Sequence, residues 1–177
     1  SPAPAPYAIT AEECGEFLCR LFDCWYAQDT RRVSIRFFDS LIAKLALDEC
    51  VSCSGAADCR QYLVIDWNGD VYPCDFFVGP EFKLGNIMTD NWQAMLTSVA
   101  YKRFGLRKQI RAKACSECRH LPFCQGDCVK NRIGFSSTSN PAVPSSLCAG
   151  WRRFFPYALP RLQELAELAR KLYYKKS

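Results

Sequence analysis

The chain has 177 residues, of which 49% are hydrophobic and 14% aromatic, with a net charge of +5. A chain of this length can build a domain with its own core, so neither disulfides nor metal ions are needed merely to hold it together. It has no apolar run long enough to cross a membrane and no signal-peptide pattern at its start. Its positive charge is spread along the chain, whereas proteins that bind nucleic acids more often concentrate positive charge in one basic stripe. We therefore expect a globular protein with neither a membrane nor a nucleic-acid partner.

The first predicted element is a helix from about Ala11 to Ala27. Thr10 and Glu13 have the spacing of a capping box, in which each side chain bonds the backbone N–H of the other residue. Apolar residues then recur at helical spacing; these are Phe17, Leu18, Leu21, Phe22 and Trp25. Residues 32–38, "RVSIRFF", alternate like a strand, and "DSLIAKLAL" reads as a short helix that Asp39 caps.

A hairpin is predicted within "QYLVIDWNGDVYPC", where two β-rich runs flank Asn68 and Gly69. This dipeptide favours a type I′ turn, in which both central residues have positive φ. Residues 75–87 are expected to be extended or irregular, and Asp90 is predicted to begin a helix through "NWQAMLTSV".

The C-terminal part combines a predicted loop with a predicted helix. The Ser- and Pro-rich residues 134–147 are typical of turns. Pro160 suits the first position of a helix whose leucines follow at helical spacing, and Pro156 is expected to interrupt the approach to it.

Twelve cysteines are the most informative feature of the sequence, and eight of them form two groups. The first group is Cys53, Cys59 and Cys74, and the second is Cys115, Cys118, Cys124 and Cys128, with Cys148 following later. Dense cysteines in a chain without a signal peptide favour metal sites in a reducing, cytoplasmic compartment over disulfides. Four thiolates suit a structural zinc ion as well as an iron–sulfur cluster, so spacing alone leaves both open.

The other cysteines and the single histidine have less specific patterns. Cys14, Cys19 and Cys24 step five residues at a time and therefore rotate around the first helix. Cys50 precedes Cys53 by three residues and competes with it as a ligand. The single His120 excludes a Rieske-type site, which needs two histidines on one iron. His120 is expected to be a surface residue within the cysteine loop.

The order of all these spacings resembles the SPASM region of radical SAM enzymes, above all that of the anaerobic sulfatase-maturating enzymes. The stretch "GDVYPCDFFVGPEFKLGNI" also matches, and "FLCRLFDCWY" and "IRFFDSLIAKL" look like the segment between the radical SAM barrel and SPASM. The resemblance implies a small α+β SPASM-type fold with a β-hairpin, cysteine-rich cluster-binding loops and flanking helices. It implies a linker helix at 1–32, a SPASM domain at 33–150 and a C-terminal helix at 151–177.

The resemblance also implies two auxiliary 4Fe-4S clusters with interleaved ligands. The first would take Cys53, Cys59, Cys74 and Cys128, and the second Cys115, Cys118, Cys124 and Cys148. Four thiolates on each cluster leave no iron open for substrate, which favours electron transfer or scaffolding.

The chemistry that the resemblance implies is oxidation of a Cys or Ser in a sulfatase to Cα-formylglycine. Asp75, directly after Cys74, matches the family's proposed base, although an Asp in this position also caps local backbone N–H groups. The C-x3-C-x2-C motif that binds S-adenosylmethionine and a third cluster is absent. We therefore expect a fragment that lacks the N-terminal radical SAM barrel and is inactive alone.

The implied partners are a sulfatase peptide or nascent sulfatase and an electron carrier such as ferredoxin or flavodoxin. The other possibilities are a peptide-binding or structural zinc module without a redox role, or the SPASM part of another peptide-modifying radical SAM enzyme.

Overall fold

The computed structural model describes residues 5–132 and 143–174. These residues form two compact units. One comprises the described residues of Ser1–Gly55 and Arg111–Ser177, and the other comprises Ala56–Ile110. Helices and a small antiparallel sheet make this a mixed α and β protein, as the sequence predicted. No helix among the described residues is long and apolar enough to cross a membrane.

Three helices form the core of the first unit: α1 at Ala11–Gln28, α2 at Arg36–Leu47 and α7 at Cys148–Tyr174. One phenylalanine from each helix meets the others. Phe22 lies edge-on to Phe38 with ring centroids 5.3 Å apart, and Phe38 stacks on Phe154 at 5.8 Å. All three rings are fully buried, which makes this contact the main hydrophobic anchor of the unit.

The capping box predicted at the start of α1 is confirmed. The Thr10 hydroxyl accepts a hydrogen bond from the Glu13 N–H at 3.1 Å, and the Glu13 carboxylate accepts one from the Thr10 N–H at 2.8 Å. Both bonds satisfy N–H groups that have no partner within the helix.

The strand predicted at residues 32–38 is wrong, because helix α2 begins at Arg36. Phe38 and Leu41 are buried on one side of this helix, against α1 and α7. The apolar residues of this segment fit the periodicity of a strand as well as that of a helix. Packing against α1 and α7 favours the helix. Asp39 does not cap α2 from outside but lies in its first turn and accepts a hydrogen bond from the Ser34 hydroxyl.

The predicted helix start at Pro160 is also wrong, because α7 already begins at Cys148 and runs through both prolines. Pro156 and Pro160 are exposed, whereas Phe154, Phe155 and Leu162 are fully buried. The carbonyls that lose a partner to proline therefore lie on the solvent side, while the buried face keeps the helix continuous.

The second unit contains a three-stranded antiparallel sheet in the order β1-β2-β3. The strands are Val64–Ile65, Asp70–Tyr72 and Gly85–Asn86. The hairpin is confirmed, but its turn is not type I′, because Gly69 has a φ of 85° and Asn68 is not among the residues with positive φ. Gly69 N–H donates to the Asp66 carbonyl at 2.9 Å. This pattern is a type I turn followed by a glycine bulge.

Two short helices follow the sheet: α3 at Trp92–Thr97 and α4 at Val99–Leu106. Asn91 caps α3 and Ser98 caps α4, each by accepting a backbone hydrogen bond. Asp90, predicted as the helix start, instead accepts a hydrogen bond from the Asn86 N–H at 2.7 Å. Residues 75–87 are largely irregular, as expected, apart from a 3₁₀ turn at Pro80–Phe82 and strand β3.

Two single-turn helices, α5 at Lys113–Ser116 and α6 at Leu121–Cys124, carry part of the second cysteine group. A 3₁₀ turn at Val129–Asn131 follows them. Residues 143–147 are irregular, in agreement with the predicted loop, and the rest of that loop lies outside the described residues.

Candidate metal centre

The second cysteine group is distributed over three helices of the first unit. Cys115 lies in α5, Cys124 ends α6 and Cys148 begins α7. Cys118 lies in the turn between α5 and α6, where its N–H donates to the Cys115 carbonyl at 3.2 Å. Cys148 is oriented by its own N–H, which donates to the Ser145 carbonyl at 3.0 Å.

These four cysteines line one cavity of about 620 Å³. They are the four residues that the family resemblance implies as ligands of the second cluster. All twelve cysteines lie within the described residues, and each is a free thiol.

The size of this cavity distinguishes between kinds of metal group. Among the described residues, no three Cys, His, Asp or Glu side chains lie close enough together to share one metal ion. The four cysteines instead line part of a cavity that is much larger than the roughly 30 Å³ of one water molecule. A group of several metal ions bridged by sulfide fits this arrangement better than a single zinc ion does.

Other side chains around the cavity also suit an anionic group. Arg119 and Arg152 line it and supply positive charge. Trp151 lines it as well, and its indole N–H is buried with no hydrogen-bond acceptor among the described residues. Thiolate sulfur and bridging sulfide are acceptors that would satisfy such a donor. Sequence reasoning missed Trp151 and Arg152, although both follow Cys148 at the helical spacing of one face.

Two of these thiols, those of Cys124 and Cys148, are hard to ionise without a cation. Burial raises the pKa of Cys124 to about 12, and the negative charge of Asp127 acts in the same direction. Burial also raises the pKa of Cys148, and Cys115 adds to this effect, while Arg152 opposes it. A bound metal group would supply the positive charge that favours the thiolate forms of Cys124 and Cys148.

His120 is not the surface residue that the sequence suggested. Its side chain is 8% exposed and stacks on Phe155 with ring centroids 5.6 Å apart. Burial lowers its pKa, and Arg119 and Arg152 lower it further. A neutral imidazole is thus favoured beside the cavity.

A tight turn connects Cys124 to Cys128. Gln125, Gly126 and Asp127 are three successive residues with positive φ, at 48°, 76° and 64°. A residue other than glycine costs about 1–2 kcal/mol in this conformation. The buried side chain of Arg132 donates to the carbonyls of this turn, which offsets part of that cost.

The four cysteines implied as ligands of the first cluster are divided between the two units. Cys53 and Cys128 belong to the first unit, whereas Cys59 and Cys74 belong to the second. Within the second unit, the Cys59 N–H donates to the Gly105 carbonyl at 3.3 Å. Strand β2 leads through the buried Pro73 to Cys74. The grouping of these four cysteines therefore stays a prediction.

Asp75 is exposed and directly follows Cys74, a predicted cluster ligand. The Cys74 thiol donates to the Asp75 carboxylate at 3.3 Å. The Phe77 N–H donates to the Cys74 carbonyl at 3.1 Å, so the partner of this backbone N–H is the carbonyl of residue 74.

The remaining cysteines differ in their surroundings. Cys19 is buried, Cys14 is half-buried, and Cys24 and Cys50 are exposed. The Cys50 thiol donates to the Gly55 carbonyl at 3.3 Å.

Comparison with known proteins agrees with this geometry. Residues 57–119 match the family model of SPASM, an iron-sulfur cluster-binding domain. The serine-type anaerobic sulfatase-maturating enzyme of Bacteroides thetaiotaomicron is 36% identical over 159 residues, which cover 89% of this chain and 38% of that enzyme. The cysteine-type enzyme of Clostridium perfringens is 31% identical over 163 residues, covering 90% and 43%.

A solved structure agrees over a similar length. "Native anSMEcpe with bound AdoMet and Cp18Cys peptide" superimposes with a TM-score of 0.85 at 29% identity, covering 96% of this chain and 47% of that one. This chain carries a SPASM domain and is homologous to the C-terminal part of anaerobic sulfatase-maturating enzymes. It spans less than half the length of these relatives. The predicted SPASM-type α+β fold is thereby confirmed.

Proposed function

We propose that this chain is the SPASM part of a radical SAM enzyme that oxidises a Cys or Ser residue of a sulfatase to Cα-formylglycine. The observation that carries the proposal is the convergence of four predicted ligands, Cys115, Cys118, Cys124 and Cys148, on one cavity. The 36% identity to a serine-type maturating enzyme supports the reaction class.

In this proposal the chain holds two 4Fe-4S clusters with four cysteine thiolates each. Cys53, Cys59, Cys74 and Cys128 ligate one cluster, and the four cysteines of the cavity ligate the other. When bound, these clusters supply one-electron transfer. Arg119 and Arg152 offset the negative charge of the four thiolates at the cavity.

The role proposed for Asp75 follows from the balance of the reaction. Conversion of a Ser side chain to an aldehyde removes one hydrogen atom from Cβ, one proton from the hydroxyl and one electron. A radical derived from S-adenosylmethionine would take the hydrogen atom, and a cluster would take the electron. A Cys side chain loses a Cβ hydrogen atom, its thiol proton and one electron. The resulting thioaldehyde then reacts with water to give the aldehyde and hydrogen sulfide. Asp75 is the exposed carboxylate beside Cys74 that we assign to accept the proton.

The proposal includes partners that this chain does not contain. S-adenosylmethionine and a third cluster belong to a radical SAM domain of the same cytoplasmic protein. The substrate is a sulfatase peptide or nascent sulfatase, and ferredoxin or flavodoxin exchanges electrons with the clusters.

The test is chemical analysis of the full-length gene product, purified without oxygen. We expect iron and acid-labile sulfide in equal amounts, visible absorption that bleaches on reduction, and formylglycine by mass spectrometry in a sulfatase peptide containing Cys or Ser. Stoichiometric zinc without sulfide would instead identify a structural or peptide-binding module. Iron–sulfur clusters without formylglycine from either peptide would indicate another peptide-modifying reaction.

A further inference from the structure

Trp151 carries a buried hydrogen-bond donor beside the cavity. Its indole Nε1–H is buried and has no acceptor among the described residues. An indole N–H can only donate, and a buried one usually has a partner, because leaving it without an acceptor costs free energy. This donor therefore suits an acceptor that the described part of the chain does not supply.

The first two turns of α7 place Trp151 on the same helix face as a predicted cluster ligand. Residues three and four apart lie next to each other on one face of a helix. Cys148, Trp151 and Phe155 follow this spacing from the start of α7. All three line the cavity of about 620 Å³, together with the other three predicted ligands. The indole thus borders the space in which the cluster is proposed to bind.

Two aromatic rings hold the indole in this position. Trp151 stacks on Phe155 with ring centroids 5.8 Å apart and 26° between the ring planes. Its ring centroid also lies 5.4 Å from that of Phe37 in α2. Phe155 is 1% exposed and belongs to the hydrophobic core of the unit. Packing therefore orients the indole, and its N–H is a preorganised donor.

We propose that Trp151 donates its indole N–H to a sulfur of the cavity cluster and thereby raises the reduction potential of that cluster. The acceptor is either a cysteine thiolate or a bridging sulfide, since both are sulfur atoms with negative charge. This inference rests on the proposed function, because it takes the cavity as the site of a 4Fe-4S cluster.

The physical reason lies in the charge that reduction adds to the cluster. An extra electron increases the negative charge on the sulfur atoms, so a hydrogen bond to sulfur stabilises the reduced form more than the oxidised form. Burial strengthens this effect, because a hydrogen bond is electrostatically stronger away from water. Removal of the N–H should therefore make the cluster harder to reduce.

A role of Trp151 in packing alone gives a different expectation. Phenylalanine at this position keeps an aromatic ring against Phe155 but covers less area than the indole does. A packing role therefore predicts a less stable protein or a smaller amount of cluster, and the retained cluster would keep its potential. The midpoint potential of the retained cluster separates the two roles.

The experiment compares wild type, Trp151→Phe and Trp25→Phe in the full-length gene product, purified without oxygen. Trp25→Phe is the matched control, because it makes the same chemical change but removes an N–H that donates to the Val33 carbonyl at 2.7 Å. The EPR signal of the cavity cluster is identified as the signal that Cys118→Ala removes. Tryptophan is labelled with ¹⁵N at the indole nitrogen in all of these proteins.

Iron and sulfide are measured first, and an EPR-monitored redox titration then gives the midpoint potential. Pulsed EPR of the reduced cavity cluster detects a ¹⁵N nucleus that is hydrogen bonded to it. We expect wild type to show one indole ¹⁵N coupling. Trp151→Phe should lose this coupling and shift the cavity cluster to a more negative potential. Trp25→Phe should keep both the coupling and the wild-type potential, although its stability should fall.

An unchanged potential in loaded Trp151→Phe would overturn the inference and assign the indole N–H to another acceptor, such as water. If Trp151→Phe binds no iron, the labelled wild-type protein decides. A cavity cluster without any indole ¹⁵N coupling would overturn the inference, whereas a coupling that Trp25→Phe retains would support it. Wild-type protein without iron and sulfide would contradict the proposed function itself, which keeps the two failures distinguishable.

Discussion

Gly15 of α1 and Gly150 of α7 are in direct backbone contact, since a Cβ built on Gly15 would lie 2.8 Å from the Gly150 Cα. A Cβ on Gly150 would lie 2.4 Å from the Ala11 carbonyl oxygen. No side chain fits at this crossing, and the neighbouring atoms are backbone atoms that cannot rotate away. The two helices approach each other here only because both residues are glycine.

Gly15→Ala is therefore expected to destabilise the protein. In an exposed helix the same change would stabilise by about 0.5–1 kcal/mol, whereas overpacking at this contact should cost about 1–3 kcal/mol. Urea unfolding followed by circular dichroism measures the difference. Gln163→Ala, on the exposed face of α7, is the control and should change stability little. A Gly15→Ala protein more stable than wild type would contradict the close helix crossing.

The contact between Asp23 and α7 predicts a dependence of stability on pH. The Tyr157 hydroxyl donates to Asp23 at 2.6 Å and Arg161 donates at 2.8 Å. Both bonds lower the pKa of Asp23, and the Tyr157 bond has the larger effect. The unfolded chain, with an ordinary pKa near 3.9, then binds the proton more readily than the folded one. The stabilisation is complete above the unfolded pKa and is lost as pH falls through the folded pKa.

Asp23→Asn should accordingly lower stability at pH 7 and have a smaller effect at pH 3. Urea midpoints of both proteins across this range give the comparison. Tyr157→Phe keeps the Arg161 contact and should show an intermediate dependence. If the difference in urea midpoint between wild type and Asp23→Asn stayed constant from pH 7 to pH 3, the carboxylate charge would not contribute to this contact.

Local signals in the sequence predicted the elements that depend on neighbouring residues. Thr10 and Glu13 marked the start of α1 because both partners of the capping box lie within one turn. Asn68 and Gly69 marked the hairpin, although the turn type also depends on Asp66, whose carbonyl closes the turn.

Elements decided by distant residues were not predicted. Phe38 belongs to a helix because Phe22 and Phe154 pack against it, and these three residues are far apart in the chain. The continuation of α7 through Pro156 likewise depends on the buried rings at 154 and 155. Sequence rules include the local cost of proline in a helix but not the free energy gained by burying these two rings.

The candidate site also contains residues that the sequence predicted and residues that it did not. The family resemblance grouped the four residues of the cavity as ligands of one cluster, but the sequence did not indicate Arg132, because an arginine is normally an exposed residue. The "QGDC" segment does carry a local signal, since Gly and Asp favour positive φ. This signal does not identify Arg132 as the donor to the turn's carbonyls, because that contact depends on the fold.

Replacement of single cysteines by alanine tests the proposed ligand sets. Loss of one ligand should remove the cluster it serves, so each variant of the full-length gene product should retain about eight of its twelve iron atoms. Cys128→Ala should share its remaining EPR signal with Cys74→Ala, and Cys118→Ala should share its signal with Cys148→Ala. Cys24→Ala and Cys50→Ala, at exposed thiols, are the controls and should stay fully loaded. A Cys128→Ala spectrum identical to that of Cys148→Ala would reassign Cys128 to the cavity.

The role of Asp75 is tested by Asp75→Asn in the full-length gene product. Asparagine keeps the size of the side chain but cannot accept the proton, so we expect formylglycine formation to fall at least about 100-fold with iron content unchanged. Glu81→Gln removes another exposed carboxylate of the same unit and should leave the rate unchanged. Mass spectrometry of the modified peptide measures the rate, and iron analysis confirms loading. An Asp75→Asn enzyme that is fully loaded and forms formylglycine at the wild-type rate would leave Asp75 only as a neighbour of the Cys74 thiol.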